Sequence, residues 1–407
     1  MSNPNWLSQA QNVKNLNKHV VIDLIRFTSG GVARVDLARE LGLTRAAVTA
    51  IVDDLLAMEL VREVEGHRPA GRKPIVLDIN PDRSRVIGID MGATHVTMVL
   101  ADCSARVLRE EEEPLSIHEG PEICLRIVNR LVNRVLSEEG ITLDQIGAVG
   151  VGVPGPVIAE TGVVSGPPIM PGWDGYPIKD SLQNLWHCPV SVSNDAELGA
   201  LGEWAYGVGR EVNNVVYIKV GTGIGAGLLL NGQIYRGVTG TAGEIGHITI
   251  DEDGPVCTCG NRGCLEAVAG GGAIAKRAVT AIQHGQRTRL VDIHPVERIT
   301  ARDVVAAARR GDLFAQQLIT DAGRHLGTAI ASLVNLVNPE MVVIGGGMSQ
   351  CGDLLLDPIR RTVNQRSLIV ASKAVRVTAS LLGRRSSGMG AVVQALSIVL
   401  HKYVDVN

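Results

Sequence analysis

Cys257, Cys259 and Cys264 stand close together in the run Cys257-Thr258-Cys259-Gly260-Asn261-Arg262-Gly263-Cys264, and His247 precedes them. One imidazole and three thiolates make the four-ligand tetrahedral set that zinc takes, and a Cys3His set leaves no position for water. The expectation is therefore a structural zinc site, not a catalytic one. Gly260 and Gly263 permit the tight loop that turns Cys264 back toward the metal.

A second group of residues can hold a hydroxylated ligand. A strand over Pro189–Ser193 ends at Asn194 and Asp195, and Glu244, His247 and Glu266 flank the cysteine loop. Strand ends are where open α/β sheets present ligand groups. A sugar hydroxyl both donates and accepts; carboxylates accept from it and an Asn amide does both. One nitrogen of His247 can hold the metal while the other donates to a sugar, which would fix the tautomer. The competing readings are that Glu244 and Glu266 are solvated loop acids and that Asp195 is the N-cap of a helix over Ala196–Tyr206.

Three strand–turn elements can approach phosphates. Val86–Ile89 delivers Asp90, then Gly92, Ala93 and Thr94; Tyr217–Val220 leads to Gly221, Thr222 and Gly223; Met341–Ile344 ends in Gly345, Gly346 and Gly347. Bare backbone at such turns lets an anion meet the main-chain N–H groups, and the last glycines make a flat platform for a purine. In this order the elements resemble the nucleotide-binding fold shared by actin, hexokinase and the heat-shock chaperone ATPases. That resemblance implies an α/β body of two lobes with a ligand cleft between them.

The N-terminal residues need other machinery. Val21, Leu24 and Ile25 repeat at helical spacing within Asn15–Ser29, and Gly30-Gly31 stops the pattern. A short helix carries Leu37, Ala38 and Leu41 and breaks at Gly42; Thr44 caps a third helix with Val48, Ile51, Val52, Leu55 and Leu56 on one face. Two strands, Leu60–Glu65 and Pro74–Ile79, enclose a basic tip. This order predicts a winged helix-turn-helix over residues 1–82, with Thr44, Arg45, Ala46 and Thr49 entering a major groove. Arg68, Arg72 and Lys73 would meet phosphates or the minor groove. A protein-interaction module is the competing reading.

Composition agrees with this division. The chain has 407 residues, 45% hydrophobic and 20% charged, with a net charge of −3, as in globular proteins. Residues 1–85 hold 12 Lys+Arg against 10 Asp+Glu, so the head is mildly basic on an acidic body. The polar first residues and the lack of a long apolar run lead to the expectation of a cytoplasmic protein without a membrane span. Cys103, Cys124, Cys188 and Cys351 read as reduced thiols in that setting.

The Cys-x-Cys-Gly-x-x-Gly-Cys-x-Glu run, the glycine turns and the N-terminal head together resemble the ROK family (repressors, open reading frames, kinases). They resemble most its winged-helix repressor branch, which answers glucose, N-acetylglucosamine or xylose. The resemblance implies that Asn194, Asp195, Glu244, His247 and Glu266 contact a sugar and that His247, Cys257, Cys259 and Cys264 bind zinc, the loop spanning 247–266. It implies a ROK body over 83–407 and a regulator, a repressor of carbohydrate uptake or catabolism genes, with operator DNA and a monosaccharide as partners. In kinase members the residue matching Asp195 is the general base. The alternative reading is an ATP-dependent sugar kinase carrying a DNA-binding head. ATP and magnesium would then meet Asp90, Gly92, Thr94, Gly221, Thr222, Gly223, Gly345 and Gly346. Two departures favour regulation: Ala93 stands where kinases carry a second glycine, and His95 where they often carry Lys. One head per DNA half-site implies at least a homodimer, or a homotetramer.

Overall fold

Apolar residues at helical spacing form helices, and the glycines between them end those helices. The computed structural model describes residues 6–66, 74–158, 160–167 and 169–406. It opens with α1 (Trp6–Phe27), α2 (Arg34–Leu41) and α3 (Arg45–Ala57). α1 begins well before the expected Asn15, because neither Gly nor Pro interrupts Trp6–Phe27. Gly42 ends α2 in the left-handed region at φ 63°, its N–H closing on the Ala38 carbonyl. The Thr44 hydroxyl accepts from the Ala47 N–H at 3.2 Å and caps α3.

Val48, Ile51, Val52 and Leu55 of α3 are buried, whereas Thr44, Arg45, Ala46 and Thr49 are exposed on the opposite side. Strands β1 (Val61–Glu65) and β2 (Ile75–Ile79) then pair antiparallel, Val61 opposite Ile79. Val32, between α1 and α2, adds a bridge to Leu77. Three helices followed by a hairpin is the order expected of the head. Arg68, Arg72 and Lys73 of the expected wing tip lie outside the described residues.

The body repeats one plan twice. In the first lobe β3 (Arg85–Met91), β4 (His95–Asp102) and β5 (Val107–Pro114) run antiparallel. α4 (Pro121–Glu138) leads to β6 (Ile146–Val153), parallel to β3. The hairpin β7 (Val157–Ile158) and β8 (Val163–Val164) and helix α5 (Ile178–Trp186) precede β9 (Val190–Asn194), parallel to β6. The sheet order is β5-β4-β3-β6-β9.

Helix α6 (Asp195–Tyr206) passes to the second lobe, with β10 (Val215–Val220), β11 (Ile224–Leu230) and β12 (Gln233–Ile234). α7 (Leu265–Ala269), α8 (Gly271–Gln283), α9 (Ala301–Arg309) and α10 (Leu313–Val337) come before β13 (Met341–Gly345). α11 (Asp353–Arg366), α12 (Ile369–Ala374) and β14 (Arg376–Ala379) complete that lobe, in the order β12-β11-β10-β13-β14. The last helix, α13 (Ser386–Val406), returns to the first lobe.

α13 packs unusually close to its neighbours. A Cβ at Gly390 would collide with the Leu198 carbonyl of α6, and one at Gly202 with the Ser386 carbonyl, so both positions need glycine. Its other face joins the head. Val21, Ile22, Val48 and Leu77 share a buried cluster with Val86, Ala148, Leu396 and Val399. Each Val, Leu or Ile among them contributes about 1.5–3 kcal/mol by leaving water. Within this junction the buried Arg26 donates to the Val393 carbonyl at 2.7 Å and to Ser397 Oγ at 3.0 Å. The rings of His19 and His401 stack with centroids 4.3 Å apart. Burial pushes the thiols of Cys103, Cys124 and Cys188 up to about 11, the behaviour of inert, reduced cysteines. Among the described residues no helix is long and apolar enough to cross a membrane.

Candidate functional site

Strand ends of both lobes meet at one cavity of about 590 Å³. Its walls include Asp90, Gly92 and Thr94 from the β3–β4 turn, Asn194 and Asp195 from the end of β9, and Gly221, Thr222 and Gly223 from the β10–β11 turn. Glu244, His247, Glu266 and Gly346 complete it. Residues scattered over more than half the chain are thus brought to one place. Gly345 sits behind the wall instead: a Cβ there would run into the Tyr217 hydroxyl, so the flat surface facing the cavity is Gly346-Gly347.

The carboxylate of Asp195 lies at the first turn of α6, and the cap of that helix is Asn194. Asn194 Oδ1 accepts from the N–H groups of Ala196 and Glu197 at 2.8 and 3.2 Å, and its Nδ2 donates to the Gly155 carbonyl at 3.0 Å. Asp195 is therefore released from capping and faces Lys219 of β10. Lys219 Nζ donates to Asp195 Oδ2 at 2.9 Å and to both Asp90 oxygens at 3.1 and 2.9 Å. It also contacts Ser387 Oγ at 3.2 Å, and that hydroxyl donates onward to the Asp195 carbonyl at 2.7 Å. Burial pulls the ammonium down, but Asp195 and Asp90 outweigh it and hold it above its ordinary range. The Asp195 carboxyl is raised, because burial and the like charge of Asp90 together exceed the pull of Lys219.

Glu266 is fixed by the chain it faces. Its Oε2 accepts from the Ile224 N–H at 2.9 Å, and a side chain at Gly223 would strike that carboxylate. Glu244 is raised by burial. His247 turns its two nitrogens in different directions: Nδ1 lies 3.6 Å from Cys257 Sγ, and Nε2 lies 3.9 Å from Glu244 Oε2. Cys259 Sγ and Cys264 Sγ are 3.7 Å apart, and the four ligand atoms all fall within 4.8 Å of one another. Edges of roughly 3.5–3.8 Å are those of a tetrahedron with zinc–ligand bonds of about 2.0–2.3 Å. The cluster is compatible with zinc in both chemistry and size.

At the other end of the cavity Glu112 of β5 crosses between the lobes. It pairs with Arg302 of α9 at 3.3 Å and with Arg384 at 3.2 Å. Burial would raise Glu112, but His95, Arg384 and Arg302 hold it below its ordinary range. Burial lowers His95, whose Nδ1 is 3.2 Å from Thr94 Oγ1.

The model of the ROK family matches residues 86–397. The chain belongs to the ROK family. A ROK relative named xylose repressor, from Caldicellulosiruptor bescii, is 32% identical over 389 residues, covering 95% of this chain and 97% of its own. A glucokinase from Halalkalibacterium halodurans is 37% identical over 309 residues, 75% of this chain and 92% of its own. The crystal structure of a ROK family transcriptional regulator, described as a homolog of the Escherichia coli MLC protein, superposes with a TM-score of 0.80 at 30% identity, over 97% of this chain and 99% of that one.

Several cleft residues of this ROK chain escape a reading of motifs. Lys219 sits inside a strand, where a cation reads as the solvent face. Glu197 is buried against Arg236 at 3.1 Å and lines the cavity, yet its position in an apolar helix gives no signal. The signal that could have found Lys219 is its setting: it is the one charged residue in Val215–Val220, and the five others are all buried.

Proposed function

We propose that this chain is a sugar-responsive transcription regulator whose operator affinity changes when a monosaccharide enters the cleft between the lobes. The observation that carries the reading is coverage. The repressor and regulator relatives match along 95–97% of the chain, head included, whereas the glucokinase matches 75% of it. The exposed face of α3, with Thr44, Arg45, Ala46 and Thr49, suits close entry into a major groove. Arg68, Arg72 and Lys73 would add phosphate contacts. In this reading 1–82 serves as the DNA-binding part and 83–407 as the sensor.

Asp195, Glu244, Glu266 and the free nitrogen of His247 accept from or donate to sugar hydroxyls, with Asn194 placing Asp195. Zinc on His247, Cys257, Cys259 and Cys264 would hold the loop that carries Glu266 in place. The protein would act in the cytoplasm, as a homodimer or homotetramer on its operator.

The kinase reading draws support from the 37% identity to a glucokinase and from the open Gly221–Gly223 turn. It would use Asp195 as base, with ATP and magnesium toward Asp90, Thr94 and Gly346. The test is operator affinity with and without glucose, xylose and N-acetylglucosamine, alongside ADP release from MgATP. Altered operator affinity with one sugar and no ADP release is expected. Robust turnover with unchanged DNA binding would reverse the assignment.

A further inference from the structure

We infer that Lys219 is the residue that tunes this cleft toward sugar sensing: its ion pair with Asp195 favours that side chain as a charged hydrogen-bond acceptor over service as a base. The inference rests on the sugar-binding reading above.

An ammonium has three protons to donate. Here they are committed to Asp195 Oδ2, to the Asp90 carboxylate and to Ser387 Oγ, all within 2.9–3.2 Å. The group keeps little contact with water, the side chains of Asp90 and Asp195 being 6% and 11% exposed. A base must become a neutral acid when it takes a hydroxyl proton. With an ammonium 2.9 Å away, that change forfeits an ion pair whose side chains are only 18% and 11% exposed, where water replaces it poorly. Accepting a hydrogen bond keeps the pair intact. The same ammonium covers both oxygens of Asp90, the carboxylate that would otherwise face a phosphate-bound cation. Two functions of a phosphoryl-transfer site are thus answered by one side chain.

Removing Lys219 leaves Asp195 facing Asp90 from β3 and Glu244 from the loop before His247, with the His95 imidazole near Asp90 and neutral Ser387 at the start of α13. Every nearby carboxylate disfavours ionisation, so the pH below which Asp195 loses its charge moves upward. Sugar affinity depends on that charge. It is present above the Asp195 pKa and lost as pH falls through it.

The experiment is calorimetric titration of the full chain with the sugar that alters operator binding, from pH 5 to 9. It compares wild type, Lys219→Met and the double variant Lys219→Met with Asp90→Asn. The double variant keeps the net charge of the triad and so guards against failure to fold. Lys219→Met should shift the affinity–pH midpoint upward by about one unit, about a tenfold loss at intermediate pH; the double variant, which also loses the like charge of Asp90, should shift it upward by less. Wild type with MgATP should release no ADP. If operator binding responds to sugar but the variant curves coincide with wild type, the role assigned to Lys219 is wrong while the regulator reading stands. If no sugar binds wild type, the regulator reading and this inference both fall.

Discussion

Asn194 Nδ2 donates to the Gly155 carbonyl at 3.0 Å while its Oδ1 caps α6. One amide therefore ties the β6–β7 connection to the helix that begins with Asp195. Asn194→Ala removes the cap and should cost about 1 kcal/mol in urea denaturation. Sugar affinity should fall with it, because the first turn of α6 sets the direction of Asp195. An unchanged affinity would mean that Asp195 is held by Lys219 alone.

Asp195→Asn keeps the shape of the side chain and removes its charge. Loss of a hydrogen bond to a charged group costs about 1.5–3 kcal/mol, so sugar affinity should drop about ten- to a hundredfold. Operator affinity without sugar should stay as it is. Gel-shift titrations with and without sugar read both quantities; a variant that still responds fully to sugar would remove Asp195 from the ligand set.

Cys259→Ala breaks a four-ligand cluster whose atoms all lie within 4.8 Å. Elemental analysis should find about one zinc per wild-type chain and almost none in the variant. The sugar response should disappear together with the metal, since Cys264 is followed directly by the helix that carries Glu266. A zinc-free protein with a full sugar response would show the cluster to be dispensable for sensing.

Arg45 stands exposed at the first position of α3. Arg45→Ala should weaken operator binding by about 1–3 kcal/mol and relax preference at one base pair, as expected for a side chain reading a base edge. Selection from a randomised operator pool measures this. An equal loss on every sequence would make Arg45 a phosphate contact.

Arg26→Met deletes the buried donor to Val393 and Ser397. Stability should fall by about 1.5–3 kcal/mol, because the Val393 carbonyl loses a charged partner. Sugar should also change operator affinity less in this variant. If the sugar effect persists at full size, the signal passes by another contact between α1 and α13.

Much of this site is legible in the sequence because its signals are local. The cysteines and His247 fall within one loop, and Asp90, Asp195 and the glycine turns stand where strands end. The competing reading of Asp195 as the N-cap of α6 is corrected by the structure: the cap is Asn194, whose backbone is extended and whose Oδ1 meets the first N–H groups, and Asp195 already stands in the first turn. Lys219 pairs with Asp90 at a separation of 129 positions, and Glu112 with Arg302 at 190. No periodicity encodes such a pairing; it exists only once two sheets face each other. The junction of Arg26 with α13 is hidden for the same reason, a cation in the last turn of a helix being ordinary in isolation.

Helix α13 is placed to act as a lever between the cleft and the head. Its first turn holds Ser387 against Lys219 and Asp195, and turns further along hold Val393 and Ser397 against Arg26 and His401 against His19. A helix of this length spans about 30 Å, so a pivot of about 10° at the cleft end sweeps the far end by about 5 Å. Half-sites on DNA recur every ~34 Å. Two heads displaced by that amount in a symmetric assembly would no longer match the spacing of the groove. In the proposed regulator, a movement too small to unseat any side chain in the cleft would be large enough to decide whether the operator fits.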